Sequence, residues 1–227
     1  MDDLFTDRTI RDHTLDRAGV QALGGTQVLV GCDLEDADLS RLDLSGWTFE
    51  NCNLRRADFS GATLGRTTWR SCRGAFANFA GSDLSEASFA SSDFNNATLK
   101  RSTLESARFV RCKLTGADLS EIRAISLHLE ETLLINAKMT GRSFRKADLV
   151  MMDFSQCDLR QGDFRMATFR DCSLRDAILD KARFEDADLR GADLGGLKLH
   201  DASRFRGATI STTQAAQLLG EIGLKVR

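Results

Sequence analysis

A leucine or phenylalanine stands at nearly every fifth residue of this 227-residue chain from Leu34 to Leu199, and the frame holds through 34 consecutive pentads. The first seven read CDLED, ADLSR, LDLSG, WTFEN, CNLRR, ADFSG and ATLGR. Of the 34 central positions, 19 are Leu and 11 are Phe, and the residue two places earlier is small in 27. A period of five fits neither the helical 3.6 nor the strand period of 2. Each pentad has two inward positions, one large and one small, and three polar ones. Such a pattern predicts a solenoid, in which stacked similar units share one continuous core. If each pentad forms one side of a square, four make a coil of 20 residues. Stacked at roughly 4.8 Å, the coils would form a rod of about 40 Å.

The polar positions carry turn chemistry. Asp precedes the central residue in 13 pentads, where its short side chain can bond nearby backbone amides. Gly stands two after the centre at Gly46, Gly61, Gly81, Gly116, Gly141, Gly191 and Gly196, where a left-handed φ is expected. All six cysteines (Cys32, Cys52, Cys72, Cys112, Cys157, Cys172) fall on the small inward position, and five of them differ by multiples of 20. That spacing matches no zinc motif, so the cysteines read as buried free thiols.

The pattern weakens in two zones without losing its frame. At residues 67–76, Trp69 and Gly74 take central positions and Phe76 points outward. At residues 122–134, Ala124 is central, Ile122 and Leu127 take small positions, and Leu133 and Ile135 are expected to face solvent. Both zones predict a bulky residue on one coil compensating a small one nearby. The 20-residue stacking also groups Val110, Leu133, Ile135, Val150 and Met151 as a candidate partner patch, since clustered exposed apolar residues mark interaction sites.

The chain divides into three segments. Residues 1–28 carry an offset period, Phe5, Ile10, Leu15 and Val20, which reads as one degenerate coil followed by a loop at Gly24-Gly25. Residues 29–210 are the repeat solenoid, its frame slipping by one between Leu199 and Phe205. Residues 211–227 predict a short capping helix with Ser211 or Thr212 as N-cap and Ala215, Leu218, Leu219 and Ile222 on one face. An open solenoid end needs such a cap. The segment carries more apolar surface than one coil requires. Leu218, Leu219, Ile222, Leu224 and Val226 are therefore also a candidate dimer interface.

Charge and composition narrow the function. Net charge is −2 and the pI is about 6.0, which excludes a simple basic nucleic-acid binder. No apolar run is long enough to cross a membrane, and the charged N-terminus MDDLFTDRTIRDH has no apolar core of a signal peptide. A cytoplasmic location without membrane contact is expected. The three histidines, His13, His128 and His200, form no triad pattern, and no phosphate-binding loop or HExxH motif occurs. The expectation is a non-enzyme without cofactor or metal.

The pentads ADLSR, ADFSG, ADLRG and ADLGG resemble the A(D/N)LXX signature of the pentapeptide-repeat family, over about three quarters of the chain. The resemblance implies a right-handed quadrilateral β-helix, an all-β solenoid. The tail Gln214-Ala215-x-x-Leu218-x-x-x-Ile222-Gly223-Leu224-x-Val226 resembles the C-terminal segment of the Qnr-type proteins. Within the family, the Qnr, MfpA and AlbG groups dimerise through this end and protect type II topoisomerases from inhibitors. This implies a homodimer with DNA gyrase or topoisomerase IV as partner and partial mimicry of duplex DNA. The frame contains no inserted loop, as in the loopless members of that group. The alternative is an interaction scaffold or regulatory protein without a topoisomerase role. Charge bears on mimicry: the four 20-residue columns between residues 32 and 201 carry −2, 0, 0 and −1. Duplex DNA carries about one negative charge per 1.7 Å. Only the first coil, with Asp33, Glu35, Asp36 and Asp38, is a local candidate.

Overall fold

The computed structural model describes residues 9–197 and 203–226. The chain folds as a right-handed quadrilateral β-helix. It divides into two compact units, Met1–Lys113 with Glu121–His128, and Leu114–Ser120 with Leu129–Arg227.

In the first unit, short strands recur once per coil. They are β1 (Thr9–Arg11), β2 (Val28–Val30), β3 (Thr48–Glu50), β4 (Thr68–Arg70), β5 (Ser88–Ala90) and β6 (Arg108–Val110). All pair in parallel in sequence order, with Phe49 facing Trp69 and Phe89 facing Phe109 across the ladder. The start of β7 (His128–Glu130) continues the ladder through the His128 N–H, which donates to the Ala107 carbonyl at 2.9 Å. In the second unit, β8 (Asp148–Val150) pairs with β9 (Thr168–Arg170), and β10 (Cys172–Ser173) with β11 (Ala192–Asp193). Single bridges 20 residues apart, such as Lys138 with Asp158, join the other sides of the square.

The pentad frame explains the core. Every central Leu or Phe from Leu34 to Leu194 is buried; Leu199 lies outside the described residues. In parallel in-register stacking, like side chains lie over like. Phe49 and Trp69 stack with ring centroids 4.1 Å apart, and Phe89 and Phe109 at 4.4 Å. The weak zone at 67–76 shows the expected compensation. Gly74 leaves a gap that the Phe94 ring fills: a Cβ on Gly74 would lie 2.1 Å from Phe94 Cε1. The six cysteines are buried and free.

Twelve of the thirteen pentad aspartates accept the N–H two residues on, as Asp58 does from Ser60 at 2.8 Å. The exception, Asp148, turns its carboxylate to Arg170. The residue two after the centre takes a left-handed φ, and most such residues are not glycine: Asp36 has +58°, Phe76 +63° and Met151 +48°. The expectation fails at Gly191, which is not left-handed. Glycine is required there by close approach instead, because a Cβ would meet the Phe169 carbonyl oxygen at 2.5 Å.

Both ends depart from the main frame. Ile10 pairs with Leu29 and Thr14 with Asp33, a spacing of 19, so the degenerate N-terminal coil is out of register with the main frame as its sequence indicates. Phe5 lies outside the described residues. The segment after that coil is not only a loop: it holds α1 (Arg17–Leu23), capped by Asp16, whose carboxylate accepts the Gly19 N–H at 2.8 Å. Seven residues with one buried side chain, Val20, and an internal glycine give no periodic signal. At the other end the one-residue slip is absorbed cleanly. Phe184 stacks on Phe205 at 5.0 Å, and Asp188 pairs with Thr209, a spacing of 21. The helix α2 (Thr212–Glu221) follows, with Ser211 and Gln214 forming a reciprocal capping box.

Candidate interaction surfaces

The first-coil carboxylates do not present free charge. Asp36 takes a bidentate pair from Arg56, with Nε at 2.6 Å and Nη2 at 2.7 Å, and the same guanidinium reaches Glu35 at 2.7 Å. The hydrogen bond from Arg56 holds the Asp36 carboxyl below the usual carboxylate range. Asp33 accepts Asn53 Nδ2 at 2.8 Å. Asp38 is held low by hydrogen bonds from Ser40, with Arg17 Nη1 3.2 Å away. The cation Arg17 comes from α1, the helix that the sequence pattern does not predict. The candidate acidic mimic coil of Asp33, Glu35, Asp36 and Asp38 thus presents little uncompensated charge. Three of the four carboxylates contact arginines of the same chain, and a mimic needs uncompensated charge. Exposed pairs of this kind add little stability but cancel the local field.

The same pairing recurs in the second unit. Asp158–Arg160, Asp163–Arg165 and Asp188–Arg190 each close at 2.6 Å, where an aspartate capping a turn meets the arginine two residues on.

The apolar residues are less exposed than the pentad frame implies. In the first unit Val110 is half-buried at the end of β6. In the second unit Leu133, Ile135 and Val150 are half-buried, and Met151 is 47% exposed. Leu133 and Ile135 thus do not stand clear in solvent. An outward side chain on a stacked wall is flanked by its neighbours 20 residues away, and Leu133 lies against the backbone position of Asp153. The residue that does stand clear is Ile125, 93% exposed, its N–H bonded to Glu105 Oε2 at 2.8 Å. Its place one after the centre of IRAIS is an outward position, so the signal was present in the frame. Phe76 is outward as expected and 57% exposed.

At the C-terminus, α2 turns two of its residues onto its own solenoid. Gln214 is buried, and its Nε2 donates to the carbonyls of Leu189 at 2.7 Å and Ala192 at 2.6 Å. The Leu189 carbonyl also accepts the Ala192 N–H at 2.9 Å, so Gln214 adds a second donor there and ties the helix to the last coil. Leu218 is also buried, and Glu221 Oε1 accepts the Gly196 N–H at 3.1 Å. Leu218 is therefore taken up by its own chain, and of the candidate dimer-interface residues it presents the least surface to a second copy. Leu219 is half-buried, while Ile222, Leu224 and Val226 are 60%, 55% and 52% exposed.

Among the described residues, no group of three metal-ligating side chains converges, and no helix is long and apolar enough to cross a membrane. His200 lies outside the described residues.

The pentad frame, the buried central columns and the aspartate turns define a repeat solenoid of five-residue units. Matches to the model described as "Pentapeptide repeat region" cover residues 29–99, 102–184 and 127–205, and "Pentapeptide repeats (8 copies)" covers 82–121. The chain belongs to the pentapeptide-repeat family. Among solved structures it is similar to full-length QnrB1, described as a plasmid-mediated fluoroquinolone resistance protein, at 21% identity and a TM-score of 0.71. That likeness covers 95% of this chain and all of QnrB1. It also resembles HetL of the cyanobacterium Nostoc sp. strain PCC 7120, described as involved in heterocyst differentiation regulation. There the identity is 21% and the TM-score 0.47, over 86% of this chain and 92% of HetL. No curated protein sequence matches the chain.

Proposed function

We propose that this chain is a non-enzymatic binding protein that protects a type II DNA topoisomerase, gyrase or topoisomerase IV, from inhibitors, and that it acts as a dimer joined through its C-terminal segment. What carries the reading is the fold likeness along the whole length of QnrB1, together with a tail of matching pattern. Ile222, Leu224 and Val226 supply exposed apolar surface for a second copy. Protection would come from steric occupancy of the enzyme and a few contacts, because the first-coil carboxylates are compensated by Arg17 and Arg56. The test is a gyrase supercoiling assay with a fluoroquinolone, with and without the protein. Restored supercoiling at low molar excess is expected. Unchanged inhibition, repeated with topoisomerase IV decatenation, would overturn the reading.

The charge pairing also favours a second reading, an interaction scaffold or regulatory protein with no topoisomerase role. Failure of the protein to bind purified gyrase or topoisomerase IV would favour it.

A further inference from the structure

The first unit carries a compact group of cations that make no ion pair among the described residues. On the third coil, Arg70 ends β4 and Arg73 follows around the corner. Two coils on, Arg108 and Arg111 bracket the end of β6, and Lys113 follows. The coil between them holds Ser88, Ala90 and Ser91 at the places of Arg108, Arg70 and Arg111, and Asp93 at that of Arg73 and Lys113. The ladder places Ala90 against Arg70 and Val110, and the Ser71 N–H bonds to the Ala90 carbonyl at 3.0 Å. Ser91, at the corner, is exposed. The edge is therefore notched, with long cationic side chains on both rims.

All five cations are exposed, and among the described residues none lies within ion-pair distance of a carboxylate. This contrasts with Arg56, Arg160, Arg165 and Arg190, each closed onto an aspartate. Two acids are near in register. Asp93, between Arg73 and Lys113, is half-buried and bonded to the Asn95 N–H at 3.0 Å. Glu50 faces Arg70 across the ladder without pairing to it. Five positive charges against these two leave the edge net positive in a chain that is net negative.

We propose that this edge around Ser91 is the docking site for a short acidic segment of a partner protein. Two coil steps separate the rims, about 10 Å at roughly 4.8 Å per step. A chain in the polyproline II conformation advances about 3.1 Å per residue with three residues per turn, so two acidic side chains three residues apart lie on one face and reach both rims. Arg70 and Arg111 then receive one carboxylate each in forked geometry, and Arg73, Arg108 and Lys113 add field. The patch is short. It ends at Glu50 on one side, and one period beyond Arg111 the sequence carries Glu131. A polynucleotide needs a long stripe of neutralised phosphates, so the bounded patch fits a peptide better. The site is independent of which enzyme, if any, the protein protects.

The experiment is fluorescence anisotropy of the full chain at low ionic strength, with a fluorescein-labelled peptide bearing Glu at every third position between Gly and Ser. Saturable binding is expected, with none to the same peptide bearing Gln. Arg70→Glu/Arg111→Glu should weaken it by at least about tenfold, since truncating or reversing paired charges acts directly on complementarity. Arg145→Glu/Lys146→Glu, an equal double charge reversal at exposed positions elsewhere on the surface, should change it little. Absence of binding to the Glu peptide, or equal weakening by Arg145→Glu/Lys146→Glu, overturns the proposal. A labelled oligo-dT that binds more tightly than the peptide, and loses binding in the double variant, overturns the choice of partner. Both substitutions lie on exposed outward positions, and an unchanged circular dichroism melt shows that the fold is intact.

Discussion

Restoring the repeat consensus at Gly74 should make this protein less stable. Every other central position but Ala124 holds a large apolar side chain, so Gly74→Leu would look like a repair by pattern alone. The packing says otherwise. Even the Cβ of an alanine at 74 would lie 2.1 Å and 2.3 Å from two carbons of the Phe94 ring. Ordinary carbon contacts are about 3.5–4.0 Å, so the ring would have to move by more than about 1 Å. It cannot do so alone, because Phe94 packs edge-on to Phe89 at 5.3 Å, Phe79 at 5.6 Å and Trp69 at 6.1 Å. Overpacking of this kind costs about 1–3 kcal/mol for Gly74→Ala and more for leucine. For a chain of this size that is a fall of roughly 2–12 °C in Tm. Phe94→Leu alone should also destabilise, by opening a cavity. Combined with Gly74→Ala it should cost less than the sum by about 1 kcal/mol or more, because each change relieves the other. The measurement is a double-mutant cycle by thermal or urea denaturation. Additive effects, or a Gly74→Ala variant as stable as the parent, would refute the compensation.

Three further outcomes are expected. Leu114→Asp should cost about 3–5 kcal/mol as a buried unpaired charge. Asp118→Ala should cost only about 1 kcal/mol, for the lost bond to the Ser120 N–H at 2.9 Å; equal shifts for the two would contradict the inward and outward assignment. Burial pushes the Cys112 thiol up from 9.0 to about 11, so the folded state holds the proton longer than the unfolded one. Its contribution, on the order of 2 kcal/mol, is complete below pH 9 and is lost as pH rises toward about 11, and Cys112→Ser should flatten that part of a urea-midpoint profile. Ile222→Asp/Leu224→Asp should give a monomer by light scattering with an unchanged melt, whereas Leu218→Asp should lower stability, because Leu218 is buried in its own chain.

A period of five with a fixed centre decides which side chains turn inward, because each pentad repeats the same local turn chemistry. The core columns, the aspartate turns, the buried thiols and both offsets in register all follow from that, and all are legible in the chain. The identity of the left-handed corner residues is not, since stacking imposes that φ on Arg, Phe and Met as well as on glycine. Nor is α1, whose seven residues are held by a cap and one buried valine rather than by periodicity. What only the tertiary structure decided lies between coils. Whether Asp36 is free or neutralised depends on how Arg56, 20 residues on, turns its guanidinium. Whether Leu218 serves a partner or its own last coil depends on how α2 lies down. Repeat frames specify backbone paths and inward faces; long polar side chains and end caps choose among several partners in space, and that choice is made only once the coils are stacked.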